Sequence, residues 1–131
     1  MSQLAPPRTW TIALPAGMRL LSLNDRHHWS VKGRITRDLR VAAWTLARQA
    51  KIPPLAQAKV TVEYQPPPTT RRRDLDNVGP ASGKPAIDGI RDAHVLEDDD
   101  TRYLTEVTYR IGEPYPKGRL VLHITEVCDA G

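Results

Sequence analysis

The run Arg71–Asn77 holds the residues best suited to chemistry. It reads RRRDLDN, three arginines and then two aspartates separated by one residue. In an extended segment, side chains two residues apart project to the same side, so Asp74 and Asp76 point together. Two carboxylates this close disfavour each other's ionisation unless a cation compensates. The pair therefore predicts a site for Mg²⁺, with Mn²⁺ as its substitute. The alternative is a solvated turn, where Asp is common.

The flanking arginines and a second acidic cluster favour the metal interpretation. Arg71–Arg73 would place guanidinium groups, which bind phosphate oxygens in pairs, beside the proposed metal. Further along the chain, Asp98–Asp100 offers the additional carboxylates that such a site takes from another loop. We expect Asp99 to be a ligand, with Asp98 as a second ligand or a supporting residue. An acidic loop tip is the alternative, and Asp100 competes with both for the same place.

Lys84 lies between these two acidic segments. At the start of a helix it would donate to a phosphate whose negative charge increases during cleavage. The alternative is an ordinary lysine on a helix surface. Three or four acids around Mg²⁺ are sufficient to activate water and to stabilise a scissile phosphate, often with two metal ions.

The charged residues are unevenly distributed along the chain. Residues 1–73 contain 13 Lys or Arg and 3 Asp or Glu, whereas residues 74–131 contain 6 and 12. A basic half offers sites for the phosphates of a polyanion, and an acidic cluster beside it would repel that polyanion. A divalent metal held by the acids would remove this conflict. A surface laced with salt bridges would explain the same asymmetry equally well.

Length and composition restrict the class of protein. A chain of 131 residues is the size of one domain, and the apolar fraction of 40% with 26% charged residues argues against disorder or a fibrous protein. The sequence has neither a long apolar run nor a secretory leader pattern, which predicts a cytoplasmic protein without a membrane partner. Cys128 is the single cysteine and cannot form an internal disulfide. We assign it no role.

Alternation and helical spacing predict an α+β domain over residues 1–131. The predicted order is β-α-β-α-β-β, a mixed sheet of about four strands covered by two helices. The last two strands, joined by a loop with Pro and Gly, suggest a hairpin. Ser82 is expected to cap the second helix, with Pro85 in its first turn. The predicted strands are Thr9–Leu14, Lys59–Tyr64, Tyr103–Ile111 and Arg119–Thr125, and the predicted helices are Ile35–Ala50 and Lys84–Ala93.

Residues 24–34 read as a polar, basic turn before the first helix. Metal ligation is one interpretation of His27 and His28, but adjacent histidines point apart in an extended chain and no partner ligand is evident. We therefore expect them to contact phosphate or solvent. Trp29 is expected to cover the core, with stacking on a base as the alternative. Trp10 and Trp44 are interpreted as packing residues.

Several segments together resemble the RusA family of Holliday-junction resolvases. These are RRRDLDN, the later KPAIDGI, a Val-Leu-x-Asp-Asp turn and KGRLVLHITE near the C-terminus. The similarity is closest over residues 71–99 and 117–126. One departure is the stretch Val78–Gly83, which lengthens the interval between Asn77 and Lys84. The resemblance implies that Asp74, Asp76 and Asp99 bind magnesium and that Lys84 assists at the phosphate.

The resemblance also implies DNA contacts and a homodimer. Members of the family cut four-way junctions by paired nicks, which suits a two-fold dimer with one site per subunit. No nucleotide cofactor is expected. Alternatives are a non-catalytic module that binds branched DNA, or a nuclease acting on forks and flaps. Asn77 either supports an aspartate ligand or suits the turn. The predicted DNA contacts are Arg71, Arg72, Arg73, Asn77, Asn24, Arg26, Lys32 and Arg34.

Overall fold

The computed structural model describes residues 6–23, 26, 28–69, 77–98 and 100–127. They form one four-stranded mixed sheet and two helices in the order β-α-β-α-β-β, which confirms the predicted α+β fold. In chain order the elements are β1 (Thr9–Ala13), α1 (Trp29–Gln49), β2 (Ala58–Gln65), α2 (Val78–Asp92), β3 (Leu104–Ile111) and β4 (Arg119–Glu126).

The sheet has the spatial order β1-β4-β2-β3. β4 pairs antiparallel with both β1 and β2, whereas β3 pairs parallel with β2. The predicted hairpin of the last two strands is therefore wrong, because β2 lies between them. β2 is largely buried and β3 is largely exposed, so burial of apolar surface favours β2 in the centre and β3 at the edge.

The connection from β3 to β4 passes the end of β2 and is fastened to it. The Gly112 N–H donates to the Tyr64 carbonyl, and the Tyr115 N–H donates to the Pro66 carbonyl, both at 2.9 Å. Gly118 has φ of +72°, and a Cβ there would lie 2.6 Å from Pro67 Cδ. Glycine is required on both grounds. These bonds replace the local hairpin that the sequence suggests.

The hydrophobic core lies between the helices and one face of the sheet. Val62 of β2 and Leu122 of β4 are fully buried there, as is Leu39 of α1. α2 approaches the sheet closely, since a Cβ on Gly83 would lie 3.1 Å from Val62 Cγ2. This layer determines which helix faces remain available for a site.

Helix α1 begins six residues earlier than predicted. His28 precedes it as the N-cap, and its Nδ1 accepts from the Ser30 N–H at 3.2 Å. Because the His28 ring caps the helix at this point, most of the stretch predicted as a basic turn is helical. His28 thus has a structural role, and His27 lies outside the described residues.

Helix α2 also begins six residues earlier than predicted. Ser82 is not its N-cap but a fully buried residue inside it, and Pro85 lies in its interior rather than in its first turn. The stretch Val78–Gly83 has the small residues of a loop, yet small size is what allows close packing of this helical turn against its neighbours.

The opposite face of the sheet carries a polar network around Glu63. Arg110 Nη2 donates to Glu63 Oε1 at 2.6 Å, and Gln65 donates to Oε2 at 2.8 Å. His123 Nε2 lies 2.7 Å from Oε1. Burial by itself would raise the pKa of the Glu63 carboxyl, but these hydrogen bonds outweigh it and lower the pKa to about 2. Glu63 therefore remains charged on this face.

Candidate metal centre and nucleic-acid interface

The proposed metal centre is only partly within the described residues. Lys84, Asp98, Asn77, Arg26, Lys32 and Arg34 are described. The predicted residues that lie outside the described ranges are Asp74, Asp76, Asp99, Arg71, Arg72, Arg73 and Asn24. The geometry below therefore concerns the chain on either side of these residues.

The ends of two predicted DNA-contacting stretches are bonded to each other. The Leu23 N–H, just before Asn24, donates to the carbonyl of Asn77 at 3.0 Å. Leu21 lies two residues before Leu23. Its N–H donates to Ser82 Oγ, and its carbonyl accepts from the Ser82 hydroxyl, both at 2.8 Å. Ser82 is fully buried, so these bonds fix the segment before residue 24 against the start of α2.

Asn77 stands at the boundary of the acidic run and α2. It is the residue before the helix, and its side chain makes no capping hydrogen bond there. Its carbonyl, in contrast, is the acceptor for Leu23. Its backbone thus holds the two stretches together, and its amide is not used to cap the helix.

A line of charged side chains follows one face of α2. Lys84 Nζ lies 3.2 Å from Asp88 Oδ1, and Arg91 Nη1 lies 3.7 Å from the same oxygen. Arg91 Nη1 is also 3.7 Å from Asp98 Oδ1. The line thus connects Lys84 to Asp98, two of the predicted site residues. Lys84 is in the interior of α2, not at a helix start, and 63% of its side chain is exposed.

Sequence reasoning missed Asp88 and Arg91. They lie four and seven residues after Lys84, the spacing that places side chains on one face of a helix. This spacing in KPAIDGIRD was the signal that would have identified them. Asp88 is largely buried, with 17% of its side chain exposed, between a lysine and an arginine.

The structure distinguishes the two described acids of the second cluster. Asp98 faces Arg91 of α2, whereas Asp100 is paired with Arg102, whose Nη2 lies 2.8 Å from Asp100 Oδ2. Hydrogen bonds from the side chain and backbone of Arg102 lower the pKa of Asp100. Of these two acids, Asp98 is therefore the one on the same side of the molecule as Asp88 and Lys84.

Asp88 and Asp98 offer carboxylate oxygens, but the guanidinium of Arg91 lies near both and compensates their charge. Asp88 and Asp98 both lie 3.7 Å from one arginine nitrogen, and carboxylate oxygens are the ligands Mg²⁺ prefers. Among residues 6–23, 26, 28–69, 77–98 and 100–127, no three acidic, histidine or cysteine side chains are grouped to hold a metal ion. Further ligands would have to come from other residues, such as the predicted Asp74, Asp76 and Asp99.

The exposed side of α1 is a basic stripe with an apolar centre. Arg34, Arg37 and Arg48 are exposed, and Val41 and Trp44 lie between them at spacings of three and four residues. Trp44 is 39% exposed, and the Arg48 guanidinium lies 5.4 Å from its ring centroid. The interpretation of Trp44 as a packing residue is therefore wrong. We call this set of five residues the α1 stripe.

A shallow cavity of about 270 Å³ adjoins the α1 stripe where α1 meets α2. Arg40 Nη2 donates there to Asp92 Oδ1 at 2.9 Å. This bond lowers the pKa of Asp92 and raises that of Arg40. The paired Arg40 thus differs from the arginines of the stripe. The residues that line the cavity are Arg37, Arg40, Val41, Trp44 and Asp92.

The first turn of α1 brings basic residues toward α2. Lys32 lines a second cavity, of about 210 Å³, together with Leu23 and Ala81 of α2. Arg26 is exposed just before the helix. Trp29 is 79% exposed, so the expectation that it covers the core is wrong, whereas Trp10 does pack against the core.

Comparison with known proteins neither supports nor opposes the resemblance. No protein-family model matches this chain, and no curated protein does. Within the part of the chain that the structure describes, neither helix is long and apolar enough to span a membrane.

Proposed function

We propose that this protein is a magnesium-dependent endonuclease that resolves four-way DNA junctions as a homodimer. The proposal rests on the RRRDLDN run and on one structural observation. The Leu23–Asn77 hydrogen bond joins the basic stretch after residue 23 to the acidic run that ends at residue 77. This bond supports a site at the start of α2, where residue types that bind phosphate and residue types that bind metal would meet.

The acidic and basic residues of the candidate site would have different roles in the reaction. The carboxylates of Asp74, Asp76 and Asp99, with Asp98 beside them, would hold Mg²⁺, which activates water and stabilises charge on the phosphate when bound. Lys84 is exposed enough to reach a phosphate oxygen while Asp88 orients it. Arg71–Arg73 would bind adjacent phosphates in a bidentate manner.

The basic side chains of α1 would position the DNA arms. Arg34, Arg37 and Arg48 belong to the α1 stripe on the exposed side of the helix. Lys32 lies on the other side, toward α2, beside Leu23 and Ala81. Each phosphate contact contributes to affinity through release of a bound counterion, so binding should weaken steeply with salt.

A cleavage assay on a synthetic four-way junction tests the chemistry. We expect paired nicks in Mg²⁺, and binding without nicks in EDTA. Asp76→Asn should reduce the cleavage rate at least about a hundredfold, since removal of a metal ligand removes the activated water. Asp38→Asn, which removes an exposed acid from α1, is the matched control and should cleave at the wild-type rate. Wild-type cleavage by Asp76→Asn would disprove the metal assignment.

A second candidate is a non-catalytic module that binds branched DNA. The ion pairs along α2 favour it, because Asp88 and Asp98 already have cationic partners and serve the fold in that state. This candidate predicts junction affinity without any product in Mg²⁺ or Mn²⁺. Competition among four-way, three-way and linear duplexes at one salt concentration separates both candidates from a nuclease for forks and flaps.

A further inference from the structure

Strand β3 forms a long edge of the sheet. It covers eight residues, whereas β1 at the other edge covers five. Among the described strands β3 pairs with β2 alone, so one side of its backbone has no strand beside it. An unpaired edge of this length is a template for a further strand.

Two large side chains lie half exposed at this edge, on the face that the helices cover. Tyr109 is 45% exposed and Ile111 is 42% exposed. Tyr109 rests on α2, where a Cβ on Gly83 would lie 3.2 Å from its ring and one on Gly79 would lie 3.4 Å away. The ring therefore packs against α2, while part of it remains exposed to solvent at the edge of the sheet.

The charges on the other face of β3 are self-complementary. Glu106 and Arg110 are both exposed and lie two residues on either side of Thr108. In an antiparallel pair of two β3 strands centred on Thr108, Glu106 of each copy stands opposite Arg110 of the other. Opposite charges facing each other across strands stabilise a pair. On the helix face, the same register places Val107 opposite Tyr109.

We infer that β3 pairs antiparallel with β3 of a second copy, with the two-fold axis at Thr108. A symmetric interface uses one patch on both subunits and must be complementary to itself. The Glu106–Arg110 spacing meets this condition. Arg110 also donates to Glu63 through Nε and Nη2, and Nη2 lies 3.2 Å from His123 Nε2. Its side chain is 56% exposed, and Nη1 has hydrogens to donate to a second carboxylate.

The edge at β1 lacks this complementarity. Its residues Thr9–Ala13 carry no charged side chain, so no register of two β1 strands sets opposite charges against each other. β1 is also too short for more than a few interstrand bonds. The comparison singles out β3.

The interface determines how the two candidate sites are arranged. The axis of an antiparallel strand pair is perpendicular to the sheet, so both copies would present α1 and α2 on the same side of one continuous sheet. This consequence rests on the proposed nuclease function, in which two symmetric nicks need two sites directed to one substrate. The pairing itself does not depend on the chemistry.

Thr108 provides a sharp test because a residue on the two-fold axis lies opposite the same residue of the second copy. Thr108→Arg and Thr108→Glu should each weaken dimerisation at least about tenfold, since like charges then face each other. An equimolar mixture of the two variants should form a mixed dimer, because the arginine introduced in one copy then faces the glutamate introduced in the other. Native mass spectrometry distinguishes the mixed dimer by mass.

Two further variants complete the test. Glu106→Arg should also weaken the dimer, whereas Thr9→Arg on the β1 edge should leave it unchanged. Circular dichroism establishes that each variant is folded. Dimers of undiminished strength for both Thr108 variants, no mixed dimer, or a monomeric wild-type protein would each overturn the proposed interface. Junction cleavage in Mg²⁺ is scored separately, so a dimer without cleavage counts against the proposed function and leaves the interface standing.

Discussion

The two helices contribute to the protein in different ways. α1 buries four of its 21 residues and exposes the α1 stripe, whereas α2 buries eight of its 15 residues, many of them small. α2 therefore packs closely on most of its sides, whereas α1 is buried along one face only and leaves the other to solvent. We expect substitutions in α2 to act on stability and those on the exposed side of α1 to act on binding.

The largest expected effect is that of Gly89→Ala in α2, with Gly33→Ala in α1 as its comparison. A Cβ on Gly89 of α2 would lie 2.2 Å from the Arg40 carbonyl of α1, so Gly89→Ala must force the helices apart. We expect a loss of about 3 kcal/mol in the free energy of unfolding, measured in urea. Gly33 of α1 has open space around it, and Gly33→Ala should instead stabilise by about 0.5–1 kcal/mol. Equal stabilities for the two variants would refute the contrast between the helices.

Next in size is the loss of the buried serine of α2. Ser82→Ala leaves the N–H and carbonyl of Leu21 without their partner, at a cost of about 1–3 kcal/mol. Ser30→Ala in α1 removes an exposed hydroxyl bonded to His28 and should cost less than about 0.5 kcal/mol. Thermal unfolding of both variants compares them. A neutral Ser82→Ala would show that this tie does not fix the segment before residue 24.

The ion pair between the helices should have a smaller and pH-dependent effect. The hydrogen bond from Arg40 lowers the pKa of Asp92, so its contribution is present above the unfolded pKa of about 4 and is lost as pH falls through the lower folded value. Both side chains are partly exposed, and solvent screening limits the contribution to roughly 0.5 kcal/mol.

Asp92→Asn measures this contribution directly. The variant should be slightly less stable than the wild type near neutral pH, and the two should converge in acid. Urea unfolding at several pH values follows the difference. A gap that widens as the pH falls would contradict the assignment.

The smallest expected effect on stability concerns the α1 stripe. Arg37→Ala should leave the free energy of unfolding within about 0.5 kcal/mol of wild type, because the side chain is exposed. If the stripe binds DNA, the same change should weaken junction binding and reduce the slope of log affinity against log salt by about one. Arg8→Ala, which removes an arginine paired with Glu126 at the sheet, is the control and should leave the slope unchanged. An unchanged slope for Arg37→Ala would exclude the stripe from the interface.

Much of the fold could be predicted from local pattern. An element that is buried on one face has apolar residues at regular spacing along the sequence. This spacing identified β2, β4 and the part of α1 from Ile35 to Ala47, and with them the order of the elements. The helix starts could not be predicted as well. The first turns of α1 mix Trp29 and Val31 with polar residues and Gly33, and the first turns of α2 are made of small residues. Neither start therefore shows a clear apolar stripe.

The candidate site was predicted unevenly for a similar reason. The roles of Asp74 and Asp76 follow from residue type and spacing and remain predictions. Asp88 and Arg91 were missed because an ion pair on a helix face leaves no hydrophobic pattern. Trp44 was misplaced because an aromatic residue at a helical position is ordinarily buried. Trp29 was misplaced because it was expected in a turn that covers the core, whereas it begins α1 on the exposed side.

By itself, the sequence determined the α+β class, the order of the elements and the separation of basic and acidic residues, since these depend on residue type and local spacing. Only the tertiary structure decided that β2 lies between β3 and β4, that Leu23 meets Asn77, and that Lys84 and Asp98 share one side of α2. Those relations depend on which apolar surfaces are buried against each other. That choice involves residues far apart in the chain, so it cannot be inferred from any short stretch of sequence.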